Sequence, residues 1–127
     1  MGDRALIVVT DGDRVSPVIY LHWGGHSVPT LIEQLALLMK PRGADVDYAA
    51  ARLVGLAHEM IPGPLSLGMW NATPHLEEAV RFHCKGMDMA KMLDAESHGD
   101  AGFIVVRADQ DYDWQSFRGY LTKREVA

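Results

Sequence analysis

Hydrophobic positions change their period several times along the chain, and each change marks an element. Arg4 to Thr10 is apolar and β-branched, and the turn signal Asp11-Gly12-Asp13 follows it. A second apolar and aromatic run covers Val15 to Trp23, with Pro17 near its start, where a missing N–H is tolerated. Together they predict an N-terminal β-hairpin. Gly24-Gly25-His26 breaks the second strand, and Ser27 can cap a helix that carries Pro29 in its first turn. Val28, Leu31, Ile32, Leu35 and Met39 recur at helical spacing until Pro41 and Gly43 end the run. Asp45 can cap a second helix with the stripe Ala49, Leu53, Leu56, Ala57 and Met60, which Pro62-Gly63-Pro64 stops.

Leu65 to Lys85 carries two signals. Thr73-Pro74 followed by Glu77 and Glu78 looks like a helix start, because acids favour the first turn. Val80, Phe82 and Cys84 alternate with Arg81, His83 and Lys85, which is a strand pattern. A helix is the expectation for 74–85, and a strand is its open alternative. Met87 to Ala95 reads as a short helix closed by Ser97-His98-Gly99-Asp100. Gly102 to Arg107 is a strand, Trp114 to Leu121 its partner, and Asp109 to Asp113 the turn between them. Two hairpins separated by helices predict an α+β fold over residues 1–127 as one domain. The sheet is mostly antiparallel, with two to four helices packed on one face. Strict βαβ alternation is absent, which argues against a doubly wound parallel sheet.

Composition narrows the class. The 127 residues are 48% hydrophobic and 23% charged, which excludes wholesale disorder. The net charge is -5, and an acidic chain lacks the basic face that direct nucleic-acid binding needs. The charge is also local. Asp94 to Asp113 holds six acids and one base, while the rest of the chain is neutral. Ala5 to Val9 is too short for a signal peptide, and no run approaches the ~18 apolar residues of a membrane span. One cysteine, Cys84, cannot form an internal disulfide, which fits the cytoplasm.

Tyr20-Leu21-His22-Trp23-Gly24-Gly25-His26 is the most distinctive string. On a strand Tyr20 and His22 share one face, and the two glycines allow a sharp turn into a helix N-terminus. Tyr20, His22, Trp23, Gly25 and His26 are therefore the candidate pocket, with the histidines as acid–base groups. The plain alternative is a strand-to-helix corner with a packed Trp. The string resembles uncharacterised small phage and prophage proteins with a Tyr-x-His-Trp-Asp-Gly-like motif. Tyr20, His22, Trp23 and Gly25 match, and Gly24 stands at the Asp position. The resemblance covers about the first third of the chain. It implies a phage or mobile-element origin and no particular chemistry.

Other constellations are weaker. No histidine pair has HExxH spacing, and one cysteine cannot make CxxC. His83, Cys84, Met87, Met89 and Met92 form a soft-ligand set for copper(I), although methionines on a short helix more often fill gaps or make contacts. Asp109, Asp111 and Asp113 imitate the start of a calcium loop, but Trp114 and Tyr120 occupy the positions that need Gly and Glu. No serine lies in a GxSxG elbow. No catalytic residue, metal ligand or cofactor is assigned.

Asp109, Asp111, Tyr112, Asp113 and Trp114 remain as an acidic–aromatic contact patch, in which aromatics anchor and charges steer. Its plain alternative is a solvated hairpin tip that deters edge pairing. The leading expectation is a non-enzymatic phage or mobile-element protein that binds a basic surface of a host protein and inhibits a host defence complex, in the manner of an anti-CRISPR protein. It involves no direct nucleic-acid contact and no membrane. The alternative is a small His-dependent or metal-dependent hydrolase at the His22–His26 corner. A third reading is a homodimer joined through Met87 to Met92.

Overall fold

A computed structural model describes residues 2–62, 66–87 and 100–121. The strands are β1 (Ala5–Thr10), β2 (Val18–Leu21), β3 (Leu67–Trp70), β4 (Gly102–Arg107) and β5 (Asp113–Phe117). The helices are α1 (Val28–Met39), α2 (Val46–Met60) and α3 (Pro74–Cys84). The chain has the α+β architecture that the two hairpins imply.

The two most apolar runs form the centre. β1 is Ala-Leu-Ile-Val-Val-Thr and β4 is Gly-Phe-Ile-Val-Val-Arg, and they pair in parallel from Ala5↔Gly102 to Thr10↔Arg107. β2 adds to β1, β3 to β2 and β5 to β4, all antiparallel, giving the order β3-β2-β1-β4-β5. Neither central run alternates with polar residues, so both faces of the sheet must be covered. Ala5, Ile7, Val9, Ile104 and Val106 pack with Leu31, Leu35, Ala49 and Leu53 of α1 and α2. Leu6, Val8, Phe103 and Val105 pack on the opposite face with Leu76, Ala79 and Val80 of α3. The expected placement of all helices on one face is corrected to two on one side and one on the other.

Local chemistry sets most boundaries. The first hairpin turns through Asp11, whose Oδ1 accepts from the Asp13 and Arg14 amides at 3.0 and 2.8 Å. Ser16 Oγ accepts from the Val9 amide and donates to the Pro17 carbonyl, so this buried hydroxyl is paired on both counts. Asp45 caps α2 by accepting from the Tyr48 amide, and Thr73 caps α3 by accepting from Leu76. Ser27 occupies the N-cap position of α1 but makes no side-chain cap bond. Pro29 lies in the first turn of α1.

Other boundaries differ from expectation. α3 ends at Cys84, so the helix start at Thr73 outweighs the alternating pattern of 80–85. Met60 was placed in the α2 stripe but is exposed. β3 has no strong signal of its own, because it is four residues long and contains Gly68. β5 begins one residue before Trp114 and stops at Phe117, where Arg118 takes φ 61° and the chain bends. Leu121 then returns to the core, its amide donating to the Ala101 carbonyl. Most of the expected helix at 87–95 lies outside the described residues, as do Met89 and Met92.

Candidate functional site

The β4–β5 connection is short and strained. A 3₁₀ turn at Ala108–Gln110 leads to Asp111 and Tyr112 at φ 53° and 61°, a region that disfavours a bulky side chain. Two contacts hold Tyr112 there. Its amide donates to the Arg107 carbonyl, and its hydroxyl donates to the Gly43 carbonyl at 2.6 Å. Tyr112 is only 6% exposed, and burial raises its hydroxyl pKa. It was expected as a surface contact. The structure makes it the peg that ties the α1–α2 connection to this turn.

The three aspartates separate. Asp109 accepts both Nε and a terminal nitrogen of Arg107, at 2.8 and 2.5 Å, and that contact raises the Arg107 pKa. Asp113 stands opposite Arg107 in the β4–β5 register. Asp111 is exposed at the turn and makes no ion pair among the described residues. Trp114 is half-buried and packs on the α1–α2 core. Beside these residues runs a hollow of ≈ 550 Å³ lined by Ile32, Glu33 and Ala36 of α1 and by Asp111, Tyr112, Asp113 and Trp114. A second hollow of ≈ 640 Å³ shares Ala36, Asp111 and Tyr112 and continues to Met39 and Lys40. Glu33 was not among the expected residues, because nothing in the local sequence links it to position 111.

The other candidate residues lie at the opposite end of β4, roughly 20 Å away along six residues of strand. Gly24 takes φ 78° and Gly25 is buried, so the chain can turn into α1. The Gly25 amide donates to the Asp3 carbonyl at 2.8 Å. This contact brings His26 to Asp3, whose Oδ2 accepts from the His26 amide and lies 2.8 Å from its ring Nδ1. Tyr120 donates its hydroxyl to Asp3 Oδ1 at 2.5 Å. Burial pushes the Asp3 pKa up, but the bonds from Tyr120 and His26 together outweigh it and hold the carboxyl below its usual value. Burial and then the Asp3 contact raise the Tyr120 hydroxyl strongly. Arg4 and Asp100 form an ion pair at 2.6 Å at the same end.

The two histidines expected to act together have separate partners. His22 Nδ1 lies 2.7 Å from the Tyr20 hydroxyl, and its ring meets Trp23 edge to face at 4.9 Å. Tyr20 also stacks on Trp70 at 5.8 Å. His26 pairs with Asp3, whose other oxygen accepts from Tyr120, and sequence reasoning missed both because they lie 23 residues before His26 and 94 after it. Among the described residues, no three His, Cys, Asp or Glu side chains come together as a metal site. No described helix is long and apolar enough to cross a membrane.

The fold and these two sites define an α+β protein with an acidic groove along α1 and a carboxylate–histidine pair at the opposite end of the sheet. Comparisons of the chain with protein-family models, curated proteins and solved structures give no match.

Proposed function

We propose that the chain is a non-enzymatic binding protein that takes a basic segment of a protein partner into the groove between α1 and the β4–β5 turn. The observation that carries this reading is the composition of the first hollow. Ile32, Ala36 and Trp114 supply apolar surface, and every charged residue lining it is acidic: Glu33, Asp111 and Asp113. A Lys or Arg side chain complements that surface. Its alkyl stem lies on the apolar floor, its cation faces the carboxylates, and the indole attracts positive charge as well. The concrete form that goes with the Tyr20–Gly25 resemblance is a phage-encoded, anti-CRISPR-like inhibitor. It would cover the nucleic-acid-binding surface of a host defence complex in the cytoplasm, where a lone cysteine stays reduced.

The test uses the full chain as bait in bacterial lysate at low salt. Wild type should retain a defined basic partner, and Glu33→Gln with Asp111→Asn should weaken capture by about tenfold, since neutral rims lose steering and attraction. Capture that is unchanged in the double variant overturns the reading.

A second reading, a small hydrolase, is favoured by the Asp3–His26 pair. A carboxylate that holds Nδ1 fixes the tautomer and leaves Nε2 to accept a proton from water or substrate. The His26 side chain is 73% exposed and therefore accessible. Hydrolysis of simple ester or phosphodiester substrates that falls at least tenfold in both His26→Gln and Asp3→Asn supports it. Hydrolysis at the background rate, or variants as active as wild type, sinks it.

A further inference from the structure

We infer that β3 is a homodimer interface, in which two copies join edge to edge through antiparallel β3–β3 pairing centred on Gly68. Among the described residues β3 ends the sheet on one side, and its register against β2 shows which backbone groups point outward. The His22 amide donates to the Ser66 carbonyl. Antiparallel pairs alternate, so Gly68 and Trp70 also bond towards β2, while Leu67 and Met69 turn their N–H and C=O groups away from it.

Those groups form a self-complementary template. Pairing Leu67 with Met69 of the second copy, and Met69 with its Leu67, places Gly68 opposite Gly68 on the two-fold axis. This is the isologous geometry of a two-fold dimer. The glycines fall at a non-hydrogen-bonded position, where facing Cα atoms are about 4.5 Å apart and side chains crowd most. Absence of a side chain suits that position.

Charge selects a second copy as the occupant. From Ser66 to Leu76 the sequence has no Asp, Glu, Lys or Arg, so two copies meet without like charges across the axis. Exposed edges are normally blunted by such charges. The other edge strand, β5, begins with Asp113 and is followed by Arg118. Met69 and Trp70 are each 46% exposed although they lie on a sheet. Met69 also lines a hollow of ≈ 370 Å³ with Pro17, Ala50, Ala51, Val54 and Asp47, whose charge is paired with Arg14, on the face where Leu67 of the second copy would extend it. Dimerisation at β3 leaves the acidic groove open, because β3 and β5 are opposite edges.

Gly68 also supplies the test, since its φ is not in the left-handed region and an added Cβ there comes no closer than 3.7 Å to another group. A Cβ at 68 is therefore accommodated beside Tyr20 and Trp70 without a clash. By light scattering and sedimentation across a wide concentration range, wild type should show twice the chain mass. Gly68→Lys and Met69→Lys should each show the single mass with unchanged circular dichroism. Leu37→Lys, on the equally apolar but unrelated surface of α1, should remain dimeric. In a Cys84→Ser background, Gly68→Cys should form a disulfide-linked dimer on mild oxidation, as the expected spacing permits. A wild type of single mass at every concentration overturns the inference, as do both Lys variants remaining dimeric, dissociation by Leu37→Lys, or the absence of the Gly68→Cys cross-link.

Discussion

At Gly25 an added methyl group would stand 2.7 Å from Ala101 Cβ and 2.8 Å from the Asp3 carbonyl oxygen. Neither neighbour is the end of a flexible side chain, so the backbone must shift. Gly25→Ala should cost ~1–3 kcal/mol in thermal or urea unfolding. It should also loosen the His26–Asp3 contact, which the Gly25–Asp3 backbone bond supports. Asp3 itself gives a pH prediction. Its carboxyl titrates lower in the folded chain than in the unfolded one, so its contribution is present above the ordinary value of 3.8 and disappears as pH falls through the folded value. The stability difference between wild type and Asp3→Asn should therefore shrink below pH ~4 in urea titrations. Tyr112→Phe removes the bond to Gly43 and should cost ~1 kcal/mol while leaving the core volume intact.

At the scale of elements, caps and coverage decide what forms. Asp45→Ala and Thr73→Ala each remove one side-chain acceptor from a helix start, and each should cost ~1 kcal/mol by urea denaturation. The helices α1 and α2 were legible because period 3.6 and proline stops agree there, whereas α3 showed only its start at Thr73-Pro74 against an alternating pattern over 80–85. β1 and β4 were legible as strands, and their unbroken apolar character also implied cover on both faces. The one-face expectation overlooked that second implication. β3 was not legible. Four residues with a central glycine have little propensity, and the strand exists because β2 offers it a pairing edge. The end of β5 was misplaced for a related reason, since Leu121 belongs to the core by returning to Ala101 rather than by continuing the strand.

For the molecule as a whole, the acidic stretch of the sequence is divided in space. Asp100 is paired to Arg4 at one end of β4, and Asp109 is paired to Arg107 at the other. Asp111 and the sequence-distant Glu33 are left to face the groove without an ion pair among the described residues. Attraction of a basic partner should therefore depend more on Glu33 and Asp111 than on Asp109. Asp109→Asn should alter capture less than Asp111→Asn, and raising the salt concentration should weaken wild-type capture, as surface charges are screened. A dimer through β3 would carry two such grooves on its outer edges, so partner capture and oligomeric state report on different surfaces.

The sequence by itself determined the α+β class, the first two helices, both central strands and the glycine corner, because these follow from periodicity, capping and backbone freedom within a few neighbouring residues, and it left 74–85 open between helix and strand. It also located the β4–β5 turn. Tertiary structure alone decided the parallel pairing of β1 with β4, the division of helices between faces and the inward rotation of Tyr112. It likewise decided which acids remain unpaired and that Asp3 meets both His26 and Tyr120. Each of these depends on groups from distant parts of the chain sharing one surface or one hydrogen bond, and no local pattern encodes such a meeting.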